Sequence, residues 1–185
     1  MTARFCIALA LCAAASTGTE HQAPAPQAAA RPPDIFFAPT LYSVADAMLK
    51  LANVTAGDVV YDLGSGDGRI LILAAQKYGA RGVGIEIDRR LVELSRQIAR
   101  EGEVADRVTF IEGDLFEADL SGATIVTLYL SPTVNKRLES KLRSELRPGT
   151  RIVSHQFGIG AWPPDRVVRA EDDGTELFLW TIRQR

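Results

Sequence analysis

The stretch Asp58-Val59-Val60-Tyr61-Asp62-Leu63-Gly64-Ser65-Gly66-Asp67-Gly68 constrains this chain more than any other. Residues 58–63 are rich in β-branched and aromatic types, which reads as a strand. Glycine at alternate positions then breaks the strand. Arg69 to Tyr78 follows, apolar almost all round, and predicts a helix buried against a sheet. A strand ending in an acidic residue, turning on glycines and feeding a helix lets the backbone pass close under a ligand. It also leaves the amides of the helix N-terminus exposed. The dinucleotide fingerprint G-x-G-x-x-G requires glycine at 69, where this chain has arginine. Taken alone, such a turn also fits a bare strand-to-helix connection.

The alternation continues along the chain from Pro39. Ala45, Met48, Leu49 and Ala52 recur at helical spacing and predict a helix over 42–52. After the buried helix come a strand at 82–87 and a helix over 88–100, with Leu91, Leu94 and Ile98 on its inward face and Gly102 ending it. Strands are expected at 108–113 and 123–130. Ser131-Pro132 supplies the N-cap and first-turn pair of a further helix, with Val134, Leu138, Leu142 and Leu146 inward and Pro148-Gly149 as its stop. A fifth strand at 151–157 precedes an interrupted stretch, 158–164. The segments 166–170 and 176–182 flank Glu171-Asp172-Asp173-Gly174, a hairpin signal. The pattern predicts an α/β fold: a Rossmann-like, doubly wound seven-stranded sheet closed by a C-terminal antiparallel hairpin.

Several chemistries are excluded by what is missing. Cys6 and Cys12 are the only cysteines and His21 and His155 the only histidines, so a thiolate nucleophile after residue 12 and a multi-histidine metal site are both ruled out. No metal is expected. Residues 1–15 carry Arg4 and then an apolar run from Phe5 to Ala15, ending in small residues, which reads as a signal-peptide-like leader. That run falls short of the roughly 20 residues a spanning helix needs. Residues 16–38 mix Ala, Pro and Gln without apolar period and read as a flexible linker. A folded domain is expected over 39–185. The net charge of −2 becomes one unit more negative without the leader, and such a domain lacks the broad basic face of a nucleic-acid binder. Export or membrane association through the leader is the expected location, with the cytoplasm as the alternative.

Two further acids support ligand binding at the glycine turn. Glu86 ends the second strand, 20 residues after Gly66, on the same edge of a parallel sheet. A carboxylate there can accept two hydrogen bonds from ribose hydroxyls, while its charge rejects a 2′-phosphate. Asp114 ends the third strand, where a short acceptor can reach the exocyclic amine of adenine. The block GDVVYDLGSGDGRI (57–70), with GIEID (84–88), GDLF (113–116) and the closing hairpin, resembles class I S-adenosylmethionine-dependent methyltransferases. The resemblance implies S-adenosyl-L-methionine as cofactor. It places the cofactor's amino-acid end on Gly64, Ser65 and Gly66 with Asp62 close by, ribose on Glu86 and adenine against Asp114.

A narrower resemblance is carried by FAPT (37–40), YDLGSGDGRI (61–70), KRLESKLRSELRPG (136–149) and Phe157 followed by WPPD (162–165). These are similar to the small lysine methyltransferases of the mitochondrial inner membrane, which act on ATP synthase subunit c and the adenine nucleotide translocase, and to their prokaryotic relatives. The implied reaction is N-methylation of protein lysine, with a membrane protein among the candidate substrates and no nucleic acid. A monomer is expected. Tyr129-Leu130-Ser131-Pro132 lies where the acceptor should approach, and differs from the Asn/Asp-Pro-Pro-aromatic motif of adenine and glutamine methylation. Tyr129 and Ser131 are therefore the candidate catalytic residues, and Trp162 is a candidate wall of the acceptor pocket. His155 reads as a core or rim histidine rather than a base. A small-molecule methyltransferase, a nicotinamide-dependent oxidoreductase and a non-catalytic cofactor-binding module remain open alternatives.

Overall fold

The computed structural model describes residues 37–184, so the leader and the linker up to residue 36 lie outside the described residues. In chain order the elements are α1 (Tyr42–Leu51), β1 (Val59–Leu63), α2 (Arg69–Tyr78), β2 (Arg81–Glu86), α3 (Arg89–Glu101) and β3 (Val108–Glu112). They continue with β4 (Ile125–Leu128), α4 (Pro132–Glu145), β5 (Arg151–His155), β6 (Arg166–Arg169) and β7 (Glu176–Thr181). The seven strands form one sheet in the order β3-β2-β1-β4-β5-β7-β6. The first five are parallel; β7 runs antiparallel to β5, and β6 antiparallel to β7. The closing hairpin thus inserts its second strand next to β5 and leaves β6 at the edge.

Each face of the sheet is covered, as the apolar runs of β1 and β4 require. On one face α1, α2 and α3 bury Met48, Leu49, Leu71 and Val92 against Val60, Phe110, Ile125 and Val153. On the other, α4 buries Leu138 and Leu142 with Leu128, Ile152 and Trp180. Ser131 caps α4 by accepting the amide of Val134 at 3.3 Å, with Pro132 in the first turn, as the sequence indicates. Helix α3 departs from the sequence reading. Its fully buried residues are Val92, Ser95 and Ala99; Ile98 packs half-buried against the core and Leu91 is half-buried, as expected, while Leu94 is 41% exposed. The small face is what the site permits, because Ser95 packs at the glycine turn: a Cβ on Gly68 would lie 2.9 Å from the Ser95 Cβ. A leucine there would collide with the turn.

The amino ends of β1 and β5 are locked together. Arg151 pairs with Asp58, whose other contacts are the Thr124 hydroxyl at 2.8 Å and the Thr55 amide at 2.8 Å. At the opposite, carboxyl edge the strand order reverses between β1 and β4, which is where ligands of open α/β sheets bind.

Gly84 in β2 sits under this edge. A Cβ there would lie 2.6 Å from both the Phe110 ring and the Ser65 hydroxyl. Gly84→Ala is accordingly expected to destabilise the domain by about 1–3 kcal/mol through overpacking, read as a lower urea midpoint with an unchanged slope.

Candidate active site

A cavity of about 630 Å³ opens at the carboxyl edge of the sheet. Asp62, Gly64, Ser65, Glu86 and Asp114 all line it, and so does Tyr129 at the end of β4, beside Leu130 and Val134. The parallel register brings these residues together from distant parts of the sequence. Asp62 stands opposite Thr127 across β1 and β4, and the Thr127 hydroxyl donates to Asp62 Oδ1 at 2.7 Å. The amides of Gly64 and Ser65 both donate to the Ile85 carbonyl, which folds the turn back over the end of β2.

Glu86 is already engaged within the protein. Its Oε2 accepts the Gly66 amide at 2.9 Å, and its Oε1 accepts the amides of Ile87 at 2.8 Å and Asp88 at 2.9 Å. An ionised carboxylate offers about four acceptor positions, so three backbone donors fix the side chain and leave little spare capacity. Asp114 is likewise held, its Oδ1 accepting the Phe116 amide at 2.9 Å. Asp62 is buried at the back of the cavity. Burial pushes its carboxyl up to about 7, opposed by the Thr127 hydroxyl and reinforced by the negative charges of Glu86 and Asp67.

Two observations point to a ligand at the turn. Ser65 lines the cavity, and its hydroxyl, buried toward Gly84, has no hydrogen-bond partner among the described residues. Gly64, Gly66 and Gly68 all adopt positive φ, and of the three Gly64 lines the cavity, with no side chain of its own to fill it. Gly66 itself is set back from the cavity, because the ring of Phe37 lies over it: a Cβ on Gly66 would sit 2.3 Å from that ring.

The segment before α1 is part of the site, which composition gave no reason to expect. Phe37, Ala38, Pro39 and Thr40 line the cavity. Arg69, notable in the sequence only as the residue replacing a glycine, is the clamp that holds them. Its Nε and Nη2 grip both oxygens of Asp67, at 3.0 and 2.5 Å, and its Nη1 donates to the Thr40 carbonyl at 3.0 Å. The guanidinium also lies 5.2 Å from the centre of the Tyr42 ring. The positions 37–40 and 61–70 had been grouped by resemblance, but only the fold shows that they touch.

The remaining candidates separate. Tyr129 stacks on His155, centroids 3.9 Å apart at 27°. The Thr40 hydroxyl lies 3.4 Å from His155 Nδ1. Ser131 does not line the cavity, and its hydroxyl oxygen serves as the cap of α4. Trp162, the candidate wall of the acceptor pocket, does not line the large cavity. It forms a bridge with Ile159, accepts the Trp180 indole N–H on its carbonyl at 3.1 Å and carries the Arg143 guanidinium 3.8 Å above its ring. Its aromatic face is therefore filled by a cation of the same chain, in a shallow depression with Pro163 and Pro164. Asn135, absent from the sequence reading, is fully buried and donates through Nδ2 to the Ser154 hydroxyl and the carbonyls of Phe157 and Gly158. A lone polar residue next to Lys136 and Arg137 on a helix gave no sign of it.

The raised Asp62 carboxyl has a consequence for stability. A folded-state value above the unfolded 3.8 means the native state holds a proton that the unfolded state loses, so folding is penalised progressively as pH rises from about 4 to about 7. Asp62→Asn removes that penalty and still accepts from Thr127. The variant is expected to melt higher than the parent at pH 8, with the gap narrowing toward pH 4, as read by thermal denaturation.

Comparison with known proteins agrees with this geometry. The profile of the ANTKMT methyltransferase domain matches residues 62–166. A protein-lysine N-methyltransferase of Saccharolobus islandicus is 45% identical over 154 residues, which cover 81% of this chain and 95% of that protein. The adenine nucleotide translocase lysine N-methyltransferase of mouse is 39% identical over 122 residues, 65% of this chain and 52% of the mouse protein, so this chain matches about half the length of that relative. Among solved structures, an RNA methyltransferase of Salinibacter ruber in complex with S-adenosyl-L-homocysteine is 55% identical, with a TM-score of 0.77 over 80% of this chain and 95% of that one. The family profile over more than half of the chain and the archaeal relative at 45% identity together show that the chain belongs to the ANTKMT methyltransferase domain family.

Proposed function

We propose that this protein transfers a methyl group from S-adenosyl-L-methionine to the ε-amine of protein lysine. One observation carries the reading: a single cavity is lined both by buried acids and the glycine turn at the ends of β1 and β2 and by Tyr129, Leu130 and Val134 where β4 leads into α4. The archaeal protein-lysine N-methyltransferase, matched along 95% of its length, supports the acceptor class.

The cofactor, when bound, supplies a methyl group on a positively charged sulfur, already activated for in-line displacement. The chain's task is placement, which can account for much of the barrier in such reactions. Glu86, fixed by three amides, presents its remaining acceptor capacity to a ribose hydroxyl. Ser65 offers its unpaired hydroxyl at the turn. Asp62 is drawn toward its carboxylate form by a cationic ligand, since a nearby positive charge offsets the burial that raises it. Asp114 is held by the Phe116 amide at the end of the cavity assigned to adenine. Beside the turn, the apolar side chains of Leu130 and Val134 desolvate an incoming ammonium and favour its neutral, nucleophilic form. Tyr129 can accept or donate a hydrogen bond to orient that amine.

The Salinibacter relative described as an RNA methyltransferase motivates a second reading. Charge weighs against it here. The chain is acidic overall, and cations of α4 are turned to internal contacts: Lys141 to Glu145 at 2.8 Å, Arg143 to Glu139 at 3.1 Å, and Arg137 over the Phe116 ring at 4.0 Å.

To test the assignment, the full chain is incubated with methyl-labelled S-adenosylmethionine and separate protein and RNA extracts. Label in methyl-lysine after acid hydrolysis, with none in RNA, is expected; label confined to RNA or to small molecules overturns it. Tyr129→Phe is expected to slow lysine labelling by about tenfold, the worth of one orienting hydrogen bond.

A further inference from the structure

His155 touches the cavity only through other residues, yet its surroundings are unusually specific for a histidine at a strand end. Leu128 and Ser154 face each other in the β4/β5 register, so the next residues, Tyr129 and His155, emerge side by side at the carboxyl edge. Their rings stack at 3.9 Å and 27°. His155 is 4% exposed, whereas Tyr129 is partly exposed and lines the cavity. On its other side His155 Nδ1 faces the Thr40 hydroxyl, which belongs to the segment clamped by Arg69. The backbone turns sharply just beyond it, with Gln156 at φ 68°.

From this arrangement we infer that His155 is a positioning residue: it backs the Tyr129 ring and sets the plane of the wall against which the acceptor amine is placed. The inference rests on the reading of Tyr129 as the acceptor end of the cavity.

The physical reason is the freedom of an unsupported tyrosine. Its two side-chain torsions give several staggered states, and a partly exposed ring with nothing behind it would sample them. A flat ring at stacking distance selects one plane. Displacement catalysis is sensitive to small misplacements, at about a hundredfold for 1 Å. The imidazole suits this role in its neutral form, and burial favours that form by holding its proton affinity below the ordinary histidine value against the weaker pull of Asp173. A neutral ring stacks flat on a phenol without placing a second cation beside the sulfonium site. The contact with Thr40 adds a second function, since it ties the tyrosine wall to the segment that covers the glycine turn.

Initial rates of lysine labelling in a fixed protein extract, at saturating cofactor, test the inference alongside calorimetric binding of S-adenosylhomocysteine. His155→Ala is expected to lower the saturating rate by about tenfold while leaving the dissociation constant for S-adenosylhomocysteine within about twofold. His155→Leu, which keeps volume but not a ring plane, is expected to behave the same way and serves should the alanine variant fail to fold. His155→Phe, which restores a stacking ring without a nitrogen, is expected to stay within about threefold of the parent. Combined with Tyr129→Ala, the His155→Ala change is expected to add no further loss, because it acts through the ring already removed. Unchanged rates in both His155→Ala and His155→Leu, a His155→Phe variant as slow as those two, or losses that multiply in the double variant would each overturn the inference. Parent protein that labels no lysine in any extract would instead defeat the functional reading on which it rests.

Discussion

A buried carboxylate that is held by three backbone amides of the protein itself organises this molecule. Glu86 takes the Gly66 amide on one oxygen and those of Ile87 and Asp88 on the other. The turn after β1 and the exit from β2 are therefore one rigid body, and the mouth of the cavity is built on it. Gly84 lets that body close, because Ser65 and Phe110 occupy the space a side chain would fill. Bonds from amides to a charged acceptor are stronger than those between neutral groups, which is why a turn with three positive-φ glycines can be held in one shape.

The concentration of negative charge around that turn explains its other contacts. Asp62, Asp67 and Glu86 lie close enough for the second and third to raise the first. Asp67 is neutralised by Arg69, and the same guanidinium reaches the Thr40 carbonyl. One ion pair thus both limits the repulsion and fastens the 37–40 segment across the cavity. Asp62 is left as the carboxyl that burial holds near neutrality, a buried acid whose ionisation is favoured by a cationic ligand. Stability and function pull on it in opposite directions, as is common where a site is arranged for a charged transition state.

The sheet was legible because each strand and helix announced itself locally. The β-branched run at 58–63, the apolar helix at 69–78 and the Ser131-Pro132 start of α4 all appear within a residue or two of where pattern places them. What local pattern does not carry is which face of α3 turns inward. Leu91 and Ile98 are half-buried as the pattern indicates, but Leu94 turns to solvent, and the fully buried positions, with Ser95 against the glycine turn, are Val92, Ser95 and Ala99. Nor does local pattern show what Trp162 packs on: its ring is matched to Arg143, a partner 19 positions earlier on another element. Arg69 and Thr40 were invisible as a pair, since 29 residues separate them and nothing in either suggests the other. Acids at strand ends could be read because parallel topology alone puts them on one edge. Side chains that meet through packing could not.

The central claim is that this edge is built for the adenosyl-sulfonium cofactor, and that Glu86 is the residue on which its recognition turns. Calorimetric titration of the full chain with S-adenosylhomocysteine, and separately with NAD, tests it most directly. The account predicts one-to-one binding of S-adenosylhomocysteine, weakened by about a hundredfold in Glu86→Ala, and no heat from NAD. Binding of NAD with no response to S-adenosylhomocysteine, or Glu86→Ala binding as tightly as the parent, would contradict it.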